Sequence, residues 1–208
     1  MLVPHHIEIT RQAIGADVSP RAFESIARAN GAQDNLRYQF GHDHFHFDNN
    51  QLEKSYAYIE TQRALVLSSL ERGDAESAWR AFGRMIHAAQ DFYAHSDYIP
   101  RWLSRFDGQT PPAPGEVDPV SPDILQHPNL HSGKLYYPFE ILAFIPPLRK
   151  FVLPHLPSDS HAHMNFDDRD DKGIFEYVLQ ASVKRTRLEF EKTTALLSPE
   201  LLTQFLDR

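Results

Sequence analysis

Residues 83–99 read GRMIHAAQDFYAHSDYI, and the way this stretch folds decides how the rest of the chain is read. His87, Asp91 and His95 recur at i, i+4 and i+8, which on a helix places them along one stripe. Met85, Ile86, Phe92 and Tyr93 flank the stripe on both sides. A helix of this kind is buried on more than one face, and a buried His/Asp row without partners is costly. At 1.5 Å per residue His87 and His95 stand about 12 Å apart along the axis, too far for one ion to reach both. Two or more ions in a row, with Asp91 between or bridging them, satisfy the spacing. The competing reading, a solvated stripe that carries these residues by chance, conflicts with the apolar flanks.

Working outward, Asp74 caps this helix, which runs over roughly 75–96, and Arg72-Gly73 separates it from a long amphipathic helix over 51–71 with Leu52, Tyr56, Ile59, Leu67 and Leu70 at helical spacing. A short helix is expected from Pro4 to Gly15. Ser19-Pro20 reads as a cap with proline at the first helical position, opening a second helix to about Asn30. Residues 31–50 read as loop. Seven prolines mark 100–135 as a long irregular excursion, a loop length that is usually functional or disordered. Phe139–Leu153 is strongly apolar and broken by Pro146-Pro147, giving two short helical pieces assigned to the core. After a polar stretch over 157–172, a long helix is expected from Ile174 to Leu197, and Ser198-Pro199 opens a last short one. No alternating strand pattern, internal repeat or heptad stands out. The expectation is an all-α, multi-helix single domain covering residues 1–208.

The chain has 208 residues, 41% hydrophobic and 24% charged, an ordinary globular balance. Its net charge of −7 supplies no electrostatic footprint for duplex nucleic acid. There is no cysteine, so any transition metal must be held by imidazole and carboxylate, ligands that suit zinc and also iron, nickel or manganese. The opening MLVPHHIEIT lacks the pattern of a secretory signal, and no apolar run approaches the roughly 18 residues that would span a bilayer. The expectation is a cytoplasmic protein without a transmembrane segment.

Histidines number 12, and their placement extends the stripe. In GHDHFHFDN (41–49), alternation sends His42, His44 and His46 to one side if the stretch is extended. Asp34 lies a short loop upstream, His6 is on the first helix, and His161 sits in the acid-rich segment DSHAHMNFDD (159–168). His127, His131 and His155 read as solvated loop residues.

At these residues the sequence resembles the superfamily of bacterial zinc-dependent phospholipase C and fungal zinc-dependent single-strand nucleases. It is most similar to the branch of heterokaryon-incompatibility C proteins. The resemblance rests on four motifs and a fifth match. They are His6 followed by Ile7 and Arg11-Gln12-Ala13-Ile14, the loop residue Asp34, His46-Phe47-Asp48, His87-x-x-x-Asp91 with His95, and His161 before Met164-Asn165. It implies a helical fold of the zinc-dependent phospholipase C type with a cluster of two or three zinc ions. One ion would use Asp34, His46, His87 and Asp91, a second His95 and His161, and a third His6 with the other oxygen of Asp91. Relatives also use a free amino terminus for the third ion; with Met1 five residues before His6, that site is expected to be weaker, rebuilt with His5, or absent. They also place a glutamate one turn after the late histidine. Asn165 stands there in this chain, so Asp167, His163 or water would complete the second site.

The expected activity is phosphoester hydrolysis, phospholipase C-like or nuclease-like. Closely spaced ions would lower the pKa of a shared water toward neutrality and clamp the attacking and leaving oxygens, with Asp34 or Asp91 orienting that water. The acidic balance favours a small phosphoester or phospholipid substrate over a polynucleotide. Phe45, Phe47, Phe92, Tyr93, Tyr98 and Trp102 would either stack bases, line a lipid pocket or, as aromatics at helical spacing usually do, form core; residues 100–135 could cover the cleft. A different class of reading makes the metals structural, stabilising a scaffold or interaction protein.

Overall fold

The computed structural model describes residues 1–39, 41–169 and 173–208. Residue 40 and residues 170–172, in stretches read as loop or polar, lie outside the described residues. The α-helices are α1 (Val3–Ile14), α2 (Pro20–Gly31), α3 (Leu36–Gln39), α4 (Leu52–Glu71), α5 (Ala75–His95), α6 (Tyr98–Ser104), α7 (Pro122–Leu125), α8 (Pro146–Val152), α9 (His161–Met164), α10 (Phe175–Thr194) and α11 (Pro199–Leu206). Among the described residues there is no strand, only two isolated bridges, Ser96 with Ser132 and Lys134 with Ser160. The all-α class and the long helices expected from periodicity are present.

Helix α5 is the axis of the molecule. The Asp74 side chain accepts a hydrogen bond from Ser77 N at its start, and every residue from Met85 to His95 is buried. Helices α2, α4 and α10 pack around it, with α1 against α2 and α10. Ser19 and Ser198 cap α2 and α11 by accepting from Ala22 N and Leu201 N, and the proline after each serine supplies a preset φ where no amide donor is needed. Gly83 sets how closely α2 can approach: a Cβ there would lie 2.4 Å from the Ile26 carbonyl oxygen and 3.0 Å from Asn30 N. On the far side, Arg63 of α4 reaches Glu189 of α10, and Arg185 donates to the same carboxylate at 2.5 Å. Burial would raise the Glu189 carboxyl, and the two guanidinium groups outweigh it and hold it down.

Three local readings are corrected. The stretch at 42–46 is not extended. Phe45 N bonds His42 O and His46 N bonds Asp43 O, closing a 3₁₀ turn over Asp43–Phe45. His42 stacks on Phe45, which also stacks on Tyr58; the alternation of the sequence is overridden by this local aromatic packing. The excursion over 100–135 is strapped to the body: Tyr93 and Tyr98 donate to the carbonyls of Pro119 and Asp118, and Lys184 to that of Val117. It packs along α5 and α10 as a brace, not a cover. The segment 139–153 does form two short helical pieces, a 3₁₀ turn over Phe139–Phe144 and α8, but most of its described large apolar side chains are exposed, and among its described apolar side chains only Ala143 and Val152 are buried. Two short pieces broken by consecutive prolines offer only a small inward face. Phe47, Phe92, Tyr93, Tyr98 and Trp102 are core residues.

Gly83→Ala should lower stability by about 1–3 kcal/mol, because the new methyl group meets backbone atoms that cannot rotate away. Urea denaturation measures this; an unchanged midpoint would show that α2 has room to retreat.

Candidate metal centre

The side chains picked out on α5 point into a buried cluster. Asp91 is at its middle. Its Oδ1 lies 3.3 Å from His6 Nε2, and its Oδ2 lies 3.0 Å from His87 Nε2 and 3.1 Å from His46 Nδ1. Asp34 adds Oδ1 at 3.8 Å from His87 Nε2 and Oδ2 at 3.9 Å from His6 Nε2. His87 Nε2 and His46 Nδ1 are 3.1 Å apart. These separations bracket the roughly 3.3 Å edge of a tetrahedron with zinc–ligand bonds near 2.0–2.1 Å. A second group brings together Asp48, His95 and His161: Asp48 Oδ1 is 2.8 Å from His161 Nδ1 and 3.4 Å from His95 Nδ1. Each of the two buried groups is able to hold a metal ion.

The elements that deliver these residues follow from local sequence. His6 lies on the buried stripe of α1 with Ile9, Thr10 and Ala13. His46 and Asp48 flank Phe47, whose ring is fully buried against Phe92 and Tyr56 and whose backbone is left-handed at φ 57°. That φ is unfavourable for a bulky residue. Burying the ring holds it there while the histidine and aspartate on either side turn to the cluster. His161 is brought in by residue 134, whose carbonyl accepts from His161 N at 2.8 Å, while Gly133 N donates to His95 O at 2.9 Å. A Cβ on Gly133 would stand 2.6 Å from His161 Cα, so only glycine permits this approach.

The outer hydrogen bonds show which nitrogen of each imidazole faces inward. His6 Nδ1 donates to Gln90 Oε1 at 2.6 Å and His87 Nδ1 to Asn30 Oδ1 at 3.1 Å. Gln90 in turn donates to the hydroxyls of Thr10 and Thr186, and Asn30 Nδ2 to Gln90 Oε1. His46 Nε2 donates to Tyr38 O and His95 Nδ1 to His46 O. With these protons committed, the inward nitrogen of His87 faces Asp91 Oδ2 as a lone pair. Burial opposes a charge on His46, but its hydrogen bond to Asp91 outweighs that and holds the ring above the ordinary imidazole range. His6 Nε2 is buried without a hydrogen bond. Lone pairs and carboxylates converging in this way fit a cation, and ligand histidines characteristically donate their other N–H to a fixed acceptor.

Charge differs from ring to ring: burial and the Met1 amine oppose a charge on His95, yet Asp91 and Asp48 outweigh them and hold it well above the ordinary imidazole range. Burial pushes the His87 imidazole down to about 4, leaving it in the neutral form that ligates metals. Burial would raise Asp48, Asp91 and Asp167, yet all three are held well below the ordinary carboxylate range: Asp48 by His161 and His95, and the other two first by the Met1 amine. The Met1 amino group, excluded from the cluster by the sequence reading, lies 2.9 Å from Asp91 Oδ1 and 3.0 Å from Asp167 Oδ1. Burial opposes its charge, and Asp167, Asp91 and Asp34 outweigh that and push it up to about 12.

Six of the seven proposed ligand positions, His6, Asp34, His87, Asp91, His95 and His161, lie in the two groups, and His46 stands beside the first with Nδ1 3.1 Å from Asp91 Oδ2. His5 does not rebuild a site there, since it faces Asp168 and Phe175, and His163 Nε2 bonds the Leu153 carbonyl. Asp167 is the member that comes to His95, at 3.1 Å from Nε2. Sequence reasoning missed Asp48, although its place two residues after His46 was a signal, and it missed Asn30 and Gln90, which carry none. His127 and His155 are exposed, and His131 pairs with Asp97 at the surface.

A family model described as the VWA7 N-terminal domain matches residues 8–104. No curated protein and no solved structure matches the chain. The family match overturns the resemblance to zinc-dependent phospholipase C, the single-strand nucleases and the heterokaryon-incompatibility C branch. The all-helical class stands without that family's fold type. The resemblance rested on short spacings, and a His/Asp stripe beside a His-Phe pair specifies ligand geometry that any buried helix next to a turn can carry; it does not specify descent. The matched segment contains Asp34, His46, Asp48, His87, Asp91 and His95, whereas His6 precedes it and His161 and Asp167 follow it.

If the first group takes up a metal such as zinc, Gln90→Leu should weaken that binding by about 10–100-fold with the helical fold retained, because His6 loses the acceptor that orients it. Competition against a chelating dye measures this; an unchanged affinity would remove Gln90 from the positioning role.

Proposed function

We propose that this protein is a metal-dependent hydrolase of phosphoesters, with zinc as the resident metal. The observation that carries the reading is the convergence of imidazole nitrogens on the two oxygens of Asp91, each ring fixed from behind by an acceptor. His6, Asp34, His46, His87 and Asp91 would hold metal in the first group, and His95, His161 and Asp48, joined by Asp167, in the second. The all-nitrogen-and-oxygen donor set suits zinc in the absence of cysteine. When bound, such ions supply Lewis acidity that activates water near neutral pH and takes up charge on a phosphoester.

The chain's own residues divide the remaining work. Asp91, with no exposure and imidazoles beside both oxygens, is suited to bridging. Asp34, whose side chain is 23% exposed, faces both the cluster and the outside and is the carboxylate suited to orient water and take its proton. The net charge of −7 and the carboxylates at the accessible edge, Asp34 and Asp167, disfavour a polyanion. A small phosphoester is the better fit.

The near-complete burial of the other ligands favours a second reading, in which closed sites hold metal structurally. Elemental mass spectrometry after dialysis, paired with turnover of a chromogenic phosphodiester, separates the two. The hydrolase reading expects at least one zinc for each group, lost in part in His87→Ala, together with turnover that His87→Ala abolishes while its circular dichroism stays helical. Bound zinc that raises the melting temperature without any turnover would support the structural reading. Equal turnover in His87→Ala would refute the hydrolase.

A further inference from the structure

The most exposed apolar stretch of the described residues lies away from the metal ligands, between residues 137 and 151. Tyr137, Phe139, Ile141, Ile145 and Leu148 are exposed, and Phe151 is 63% exposed. The segment is nonetheless anchored from beneath. Ala143 and Val152 pack with Leu156 and Ala162 in a small core of their own. The carboxylate of Glu140, fully buried, accepts from Tyr136 N and Ala162 N at 2.6 Å each. Arg149 Nη2 donates to Ala162 O at 3.2 Å. A buried carboxylate thus fixes the base of the segment while its outer face stays apolar. Single exposed leucines are ordinary on a protein surface; this many large apolar side chains within fifteen residues mark an interaction site.

The charges beside the patch identify what it meets. Glu140 is the only acidic residue between 137 and 153, and it is turned inward. The cations there are Arg149 and Lys150, and the Lys150 ammonium lies 4.9 Å from the Phe151 ring centre. In a chain of net charge −7, this face combines apolar side chains with positive charge. Symmetric pairing with a second copy would bring two faces that each carry Arg149 and Lys150, and whose one acidic residue between 137 and 153 is turned inward, against one another. An anionic lipid surface instead accepts both features, taking aromatic and aliphatic side chains into its interfacial region and pairing lysine and arginine with headgroups. No described helix is long and apolar enough to cross a membrane, so contact through this face would be peripheral. We propose that the Tyr137–Phe151 face docks on anionic membrane surfaces. The proposal does not depend on the metal centre, since no residue of the patch is a ligand.

Vesicle flotation of the 208-residue chain tests it. The chain should float with phosphatidylcholine vesicles containing about one third phosphatidylserine and much less with phosphatidylcholine alone. The double substitution Phe139→Ser with Phe151→Ser should reduce binding by roughly tenfold or more. Lys150→Glu should weaken it as well. Both variants should keep the melting temperature of the parent, because the side chains are exposed. Absence of flotation with charged vesicles, or equal flotation of the double variant, would overturn the proposal. So would a dimer in sedimentation equilibrium that the double substitution disperses without any vesicle binding, an outcome that assigns the face to a second copy.

Discussion

A carboxylate with no access to solvent, near the C-terminal end of a 21-residue helix, is the constraint around which this protein is built. An ionised group in that position is tolerated only if its surroundings return what water would have given. For Asp91 they are three imidazoles and an amine, drawn from the first helix, the turn after α3 and α5 itself. Each imidazole then needs its own orientation fixed, which explains why Asn30, Gln90, Thr10 and Thr186 form a closed hydrogen-bond network in the core instead of being apolar. The packing of α1 and α2 on α5 serves the same end, because both helices contribute to holding these rings.

The helices were largely legible in the sequence. Apolar residues at three and four spacing outlined α4, α5 and α10, and serine-proline pairs marked the starts of α2 and α11. The stripe His87, Asp91, His95 was legible because helical geometry converts spacing directly into a shared face. The turn around His46 was not, since its shape depends on Phe45 stacking with residues distant in sequence and on Phe47 occupying a core position at a backbone angle that no local pattern announces. Asn30 and Gln90 were invisible for a related reason. An amide in a helix has no periodicity of its own, and its role depends on which imidazole ends up behind it. The exposed segment from Tyr137 to Phe151 misled in the opposite sense, because a run of apolar residues reports hydrophobicity and is silent on whether the fold has room to bury it.

The boundaries of the VWA7 N-terminal match bear on how the centre is organised. The helix with the stripe, the turn carrying His46 and Asp48, and the loop carrying Asp34 fall inside it. His161 and Asp167 come from beyond it and close the second group. The first group is therefore nearly complete within the matched segment, lacking only His6, which precedes its start by two residues. The second group depends on a later part of the chain, delivered through the close approach of Gly133 to His161.

That dependence has a consequence for the order of assembly. The contacts of His6 with Asp91 and of Leu2 N with the Asp167 carbonyl join positions far apart in the chain, and long loops of this kind are closed late, after local helices have formed. Asp34 and Asp91 of the first group are both synthesised before His161 and Asp167, which complete the second. A chain released before His161 would therefore carry the residues of the first group without those that close the second.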